Sequence, residues 1–359
     1  DGLQLCAGHA ACVENGRLSF LGPQAETPPT AQEVDLGGDI LFPGFTDLQV
    51  NGGDGILFNA DPSVETLRRM AAAHRGLGVT ALLPTLITDT AEKTHAAISA
   101  AQEAIRAGVP GVVGLHLEGP HLSIARKGAH DADLIRPMQD SDLALLLDAA
   151  QALPKLMVTL APENTSTAQV EALAEAGVLV SLGHSDADFD TCRRYIAAGA
   201  RFVTHLFNAM SPLESRAPGL VGAALASGEV SAGLIADGKH VHQQTMKTAW
   251  CAKSGPGQIF LLSDAMAVAG SSLQAFELGG RTITRQKGML TLSDGTLAGA
   301  DLDLTTAVRT LVEQVGGDLP DALKAATQAP AQLIGLDYGF DRLSNIVRLS
   351  ADLTTLRQP

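Results

Sequence analysis

Gly114-Leu115-His116-Leu117-Glu118-Gly119-Pro120-His121 contains most of a short apolar run, residues 112–117, that reads as a buried strand. The run ends in a carboxylate, and Gly-Pro then stops the strand and turns the chain. A charged carboxylate at the end of a buried strand costs desolvation energy unless a salt bridge or a cation compensates. Two further strand ends favour the cation. Residues 178–182 run into Gly183-His184-Ser185, and residues 202–204 run into His205-Leu206-Phe207-Asn208. One Glu and two His, each at the end of its own strand, form a ligand set for one divalent metal with room left for water. Their wide separation in sequence does not fit a zinc knuckle and suits ligands delivered from three different strands.

Outward from this stretch, apolar strands alternate with helix-like segments. Strands are expected near 45–50, 79–84, 111–117, 156–161, 178–182, 202–205, 232–236 and 259–263. Helices are expected at 64–77, 91–107, 140–152, 167–176, 186–199 and 243–253, the fifth starting at the N-cap pair Ser185-Asp186. Eight strands with intervening helices is the count of an α/β (β/α)8 TIM barrel. A doubly wound open sheet is the alternative, but no GxGxxG or GxxxxGK[ST] loop follows any strand. The strand ends carry Gln49 and Asn51, Thr85, Glu118, Glu163, His184, His205, Asp237 and Asp264. In a barrel these ends converge on one face.

The flanks differ in texture. Residues 1–43 are Gly-punctuated and strand-like, with a hairpin turning at Asn15-Gly16 and a strand over 34–41. Residues 44–335 form the barrel, with a hairpin inserted near 278–296, then helices over 303–315 and 321–328 and a helical stretch opened by Pro330. Residues 336–359 hold two short apolar pieces. They are expected to join residues 1–43 in a small β-sandwich domain built from both chain termini.

Composition narrows the function. A net charge of −14 argues against a nucleic-acid or acidic-membrane binder, which needs a basic field. It leaves room for one small anionic ligand held by local cations. Cys6, Cys12, Cys192 and Cys251 form no CxxC pair and read as reduced thiols of a cytoplasmic protein. No apolar run reaches the length of a membrane span, and no signal-peptide pattern is read.

Each candidate residue has an ordinary reading beside the chemical one. A lone strand-end His is usually a hydrogen-bonded core residue. Asp264, in Leu261-Leu262-Ser263-Asp264-Ala265, could cap a helix or partner a His; functionally it is a general base for water activated by the metal. His130 is either an exposed loop residue or the group that polarises a carbonyl and steadies an oxyanion. Arg216 and His240 are either surface cations or, with Asn208 and Ala209, an anion clamp. Gln49 and Asn51 stand where many barrel hydrolases carry His-x-His. They are poor ligands by comparison, so one metal is expected rather than two. His74 and His95 fall on helices and are expected to be solvated. His9, His116, His121 and His242 receive no role, and GxSxG is absent.

The segment Pro43-Gly44-Phe45-Thr46-Asp47-Leu48-Gln49-Val50-Asn51-Gly52 resembles the first-strand motif of the amidohydrolase superfamily, in its N-acetylglucosamine-6-phosphate deacetylase family. Leu115-His116-Leu117-Glu118-Gly119-Pro120, Lys127-Gly128-Ala129-His130 and Gly183-His184-Ser185-Asp186-Ala187 match further motifs. So do Thr204-His205-Leu206-Phe207-Asn208-Ala209-Met210, Pro218-Gly219-Leu220, Ala236-Asp237-Gly238-Lys239-His240-Val241 and Ser263-Asp264-Ala265, all in the family's order. The resemblance implies Glu118, His184 and His205 as metal ligands, Asp264 as acid/base and His130 beside the acetamide carbonyl. It implies Asn208, Ala209 and His240 at the sugar phosphate, and a homodimer in which Arg216 reaches the neighbouring active site. The implied reaction is hydrolysis of N-acetylglucosamine 6-phosphate to glucosamine 6-phosphate and acetate, in amino-sugar catabolism and cell-wall recycling. The family's usual final strand is not read after Ala351-Asp352-Leu353.

The expectation is therefore a metal-dependent amide hydrolase. Zn²⁺ suits the Glu-His-His set, and Fe²⁺, Mn²⁺ and Co²⁺ remain open. N-acetylgalactosamine 6-phosphate is the alternative substrate. A catalytically silent metal- and sugar-binding barrel is the rival of another class.

Overall fold

Strands buried on both faces need helices outside and side chains filling the space within, and a closed parallel barrel supplies both. The structure, a computed structural model describing residues 4–29, 32–336, 339 and 341–357, has this form. The parts of the terminal β segments expected at 1–3, 30–31, 337–338, 340 and 358–359 lie outside the described residues. The barrel strands are Phe45–Val50, Val79–Ile87, Leu115–Glu118, Leu156–Leu160, Leu179–Leu182, Phe202–Val203, Ser231–Leu234 and Ile259–Leu261. Each is hydrogen-bonded, parallel, to the next in chain order. The eighth reaches the first just past its own end, where Asn51 N–H donates to the Ala265 carbonyl at 2.8 Å.

Gly114, just before the third strand, is pressed against its neighbour. A Cβ there would sit 2.3 Å from the Lys155 carbonyl oxygen. Gly114→Ala is therefore expected to cost about 1–3 kcal/mol, as overpacking does. A lowered urea midpoint would report it, and an unchanged midpoint would contradict the crowding.

The barrel helices start at polar caps. Ser63, Thr90, Ser166 and Asp188 accept backbone N–H groups of Thr66, Lys93, Gln169 and Thr191. The fifth expected helix starts at Phe189, three residues later than read. Glu163 takes the Ser185 hydroxyl and the Asp186 N–H, which keeps residues 185–188 out of the helix. The helix Gly219–Ala226 was not expected. Its residues 219–225 are all buried, so Gly-Leu-Val-Gly-Ala-Ala-Leu-Ala has no polar face and no amphipathic period.

The two chain ends build small antiparallel sheets beside the barrel. His9–Glu14 and Arg17–Pro23 pair through Asn15 and Gly16, both left-handed at φ 51° and 73°, as a tight hairpin turn requires. Ile40–Pro43 pairs with Ile346–Leu349, which also pairs with Leu356–Arg357. No strand was read after Leu353, and the two-residue strand Leu356–Arg357 follows it. Leu18 N–H donates to the Asp341 carbonyl and Leu343 N–H to that of Gly16, tying the ends together.

The expected inserted hairpin is a three-stranded sheet: Ala275–Leu278, Arg281–Gln286 and Met289–Thr291. Its Leu278, Ile283 and Leu290 pack with Leu57, Met266 and Val268 in a hydrophobic cluster separate from the main core. His74, expected in solvent, is buried, with Nε2 2.8 Å from the Gly52 carbonyl oxygen.

Candidate metal centre and active site

The residues at the barrel mouth are turned inward by unusual backbone. His184 (φ 48°), His205 (φ 21°) and Asp264 (φ 51°) follow the fifth, sixth and eighth strands in left-handed conformations. Such a conformation costs a non-glycine residue about 1–3 kcal/mol and persists where the surroundings enforce it, commonly at functional sites.

Glu118, His184 and His205 meet there, all buried. Glu118 Oε1 lies 3.3 Å from His184 Nε2 and 3.1 Å from His205 Nε2, and the two Nε2 atoms are 3.0 Å apart. The outer nitrogens are already engaged. His184 Nδ1 is 2.9 Å from the Arg126 carbonyl oxygen, and His205 Nδ1 is 3.2 Å from that of Asn208. A carbonyl can only accept, so both Nδ1 atoms carry protons, and each neutral ring turns an Nε2 lone pair inward. Two nitrogen lone pairs and a carboxylate oxygen then face one point. This arrangement repels itself unless a cation sits among them, and backbone-anchored imidazoles are the usual support of a metal ligand. The donor set fits a divalent ion such as zinc.

A hydrogen-bonded lattice surrounds the cluster. Gln49 Nε2 donates to Glu118 Oε1 at 2.9 Å and to Asp264 Oδ1 at 3.3 Å, and Asn51 Nδ2 donates to the same Asp264 Oδ1 at 2.7 Å. The Thr204 hydroxyl donates to Gln49 Oε1 and so fixes which end of that amide faces the carboxylates. Both donors converge on Asp264 Oδ1, leaving Oδ2 as the oxygen open to proton exchange. Burial, reinforced by the charge of Glu118, raises the Asp264 carboxyl to about 6. Burial also acts on Glu118, but the imidazoles of His130, His184 and His205 around it outweigh it and hold the carboxyl well below its ordinary value.

His130 stands on the other side, with Nε2 3.7 Å from Glu118 Oε2 and its ring 4.4 Å, edge-on, from that of His184. Burial, with His184 beside it, lowers His130 to about 4, so the ring is neutral near pH 7. Its Nδ1 is 2.8 Å from the Thr88 hydroxyl oxygen.

A cavity of about 520 Å³ opens from the cluster. Glu118, His184 and His205 line it, with Asn51, His130 and Asp264 and with Asn208, Ala209 and His240. His205, Phe207 (φ 78°) and Ala209 (φ 50°) are left-handed with ordinary residues between them. Within this turn the Leu206 N–H donates to the Gly233 carbonyl at 2.7 Å and the Asn208 N–H to the His205 carbonyl at 2.9 Å. Asp237 accepts His240 Nδ1 at 2.7 Å, so Nε2 is the free nitrogen of that ring. Leu278 and residues 295–299 supply a wall from the insertion.

Not every expected residue joins the cavity. Arg216 lies exposed in the loop before Gly219–Ala226 and does not line the cavity within its own chain. Glu163 holds Ser185 and Asp186, and Thr85 accepts Val50 N–H inside the barrel. Sequence reasoning missed Thr88 and the orienting role of Thr204. It also missed the wall at 295–299, whose one signal is the small-residue composition of Gly295-Thr296-Leu297-Ala298-Gly299.

With the geometry in hand, the chain can be set beside known proteins. An N-acetylgalactosamine-6-phosphate deacetylase from Shewanella sp. (strain ANA-3) is 44% identical over 294 residues, covering 82% of this chain and 74% of that protein. An N-acetylglucosamine-6-phosphate deacetylase from Haemophilus influenzae is 35% identical over 340 residues, 94% of this chain and 87% of that one. The crystal structure of N-acetylglucosamine-6-phosphate deacetylase from Pasteurella multocida superposes with a TM-score of 0.90 at 34% identity, covering 98% of this chain and 93% of that one. The model of the amidohydrolase family matches residues 40–340, and with these relatives it makes the chain a member of the amidohydrolase family.

Proposed function

We propose that this chain is a metal-dependent deacetylase of N-acetylglucosamine 6-phosphate, releasing glucosamine 6-phosphate and acetate. The observation that carries the reading is the convergence of three inward lone pairs from Glu118, His184 and His205 beside an Asp264 with one free oxygen. A divalent cation held by those three residues supplies Lewis acidity, which makes water nucleophilic near neutral pH.

The chain's own residues do the rest. Asp264 Oδ2 accepts the proton of the attacking water and later delivers it to the departing amine. The neutral His130 donates from Nε2 to the acetamide oxygen as negative charge develops there. Asn51 and Gln49 hold Asp264 in one orientation through Oδ1. Elsewhere in the cavity Asn208 and Ala209, with His240 Nε2, receive the phosphate. The exposed Arg216 completes that phosphate site in a neighbouring subunit of a homodimer. The four free cysteines accord with a cytoplasmic enzyme.

The Shewanella relative favours a second reading, in which N-acetylgalactosamine 6-phosphate is the preferred substrate. Acetate release from both sugar phosphates, measured beside elemental analysis of the purified protein, tests the assignment. The proposal expects kcat/KM for the gluco sugar to exceed that for the galacto sugar at least about tenfold, the order that a few well-placed contacts discriminate. The reverse ratio transfers the assignment to the second reading. A metal-loaded protein that releases acetate from neither is a binding barrel, and the proposal falls.

A further inference from the structure

We infer that Thr88 is a positioning residue: it fixes the tautomer of His130 so that the Nε2 proton faces the cavity. The inference rests on the role given to His130 above. Thr88 follows directly on the second barrel strand, Val79–Ile87, and is buried. Its backbone N–H points at His130 Nδ1 across 3.4 Å, and its hydroxyl oxygen is 2.8 Å from the same nitrogen. Were Nδ1 protonated, its hydrogen would face the hydrogen of the Thr88 N–H. Nδ1 is therefore the acceptor, and at 2.8 Å the hydroxyl must donate to it, because two unprotonated acceptors would repel. The single remaining ring proton lies on Nε2, which faces Glu118 at a distance too long for a hydrogen bond, and the residue lines the cavity. The hydroxyl also lies 3.4 Å from the Glu118 carbonyl oxygen, but its one proton serves the shorter contact.

The surroundings hold Thr88 for this task. Asn59, itself buried, accepts Ile87 N–H at 3.1 Å and donates to the Ile87 carbonyl at 3.0 Å, clamping the peptide that leads into Thr88. Gly119 leaves room for the hydroxyl, since a Cβ there would lie 2.2 Å from Thr88 Oγ1. A neutral imidazole with the opposite tautomer would present a lone pair, not a donor, to a developing oxyanion.

The test pairs Thr88→Val, which removes only the hydroxyl's hydrogen bond, with Thr88→Ser, which restores it. It adds ¹⁵N spectra of the His130 imidazole in the zinc-loaded, substrate-free protein, assigned by their loss in His130→Gln. The expected wild-type spectrum has a protonated Nε2 and a bare Nδ1. In Thr88→Val, kcat should fall about tenfold with KM within about twofold, part of the loss seen when an oxyanion donor is removed outright. With the 2.8 Å contact gone, only the longer N–H contact holds the tautomer, so a fraction of Nδ1-protonated ring should appear beside the Nε2-protonated form, and Thr88→Ser should return both readings to the wild-type range. A wild-type Nδ1 proton overturns the inference, as does Thr88→Val at wild-type kcat. Equal losses in Val and Ser with an unchanged spectrum also overturn it, since packing alone would do that. If Thr88→Val does not fold, the wild-type spectrum and the serine variant decide. The spectrum needs no substrate, so a protein inactive on both sugars defeats the functional proposal without touching the tautomer result.

Discussion

Asp264→Asn is expected to lower kcat by about a thousandfold or more, within the range that general acid–base groups contribute, while the protein keeps its metal. The reason is the division of labour between the two oxygens. Asn51 and Gln49 donate to Oδ1, so Oδ2 alone is open to exchange protons. An amide in the same place cannot take a proton from water at any working pH. Glu118, His184 and His205 remain, so elemental analysis should read the same metal in both proteins. The pH profile adds a second reading. Burial and then the Glu118 charge raise the Asp264 carboxyl to about 6, and a cation beside it pulls the value back down. The base works only when ionised, so kcat/KM should fall as pH drops through about 6 or somewhat below. That acid limb should vanish in the residual activity of Asp264→Asn. Full turnover by the variant, or the same limb surviving in it, would remove Asp264 from the proton path.

The cluster of Glu118, His184 and His205 was legible because metal chemistry narrows residue type and a barrel narrows position. Glu118, His184 and His205 stand at the ends of three apolar runs, where a charged or imidazole side chain has no packing reason to be. Thr88 and Thr204 gave no such signal. Threonine suits a strand end on propensity alone, and the partner of each hydroxyl lies far off in sequence: His130 for Thr88 and Gln49 for Thr204. The fold shows the same division. Amphipathic helices with polar caps declared themselves, whereas Gly219–Ala226, buried along almost its whole length, has no polar face to give a period. His74 was misjudged for a related reason. A histidine on a helix reads as a solvent-facing polar residue until the fold brings the Gly52 carbonyl against it. Ala275–Leu278 was hidden by the glycines around it, and it carries part of the cavity wall through Leu278. Arg216 could be read from sequence as a loop cation, but it is exposed and does not line the cavity of its own chain.

Chelation is expected to abolish activity and lower the melting temperature, and the loss of stability should grow with pH. The metal-free cluster already seeks a positive charge. Burial works to lower the His205 pKa, but its hydrogen bond and attraction to Glu118 overcome this and raise it above the ordinary value. A proton thus competes for the place the metal would take. Because the folded value exceeds the unfolded one, that proton's stabilisation is whole below about 6.5 and is lost as pH rises through the folded value. Metal must displace it, so metal binds more tightly as pH rises and proton competition ends. At free metal about a hundredfold above Kd, binding contributes about 2.7 kcal/mol to the folded state. Calorimetry with and without chelator, near pH 6 and near pH 8, should therefore give a larger gap in melting temperature at the higher pH. Glu118→Gln should shrink that gap at both, since it removes the charge that draws either cation. A melting temperature indifferent to chelator at both pH values, with activity intact, would mean that the three inward-facing side chains hold no metal.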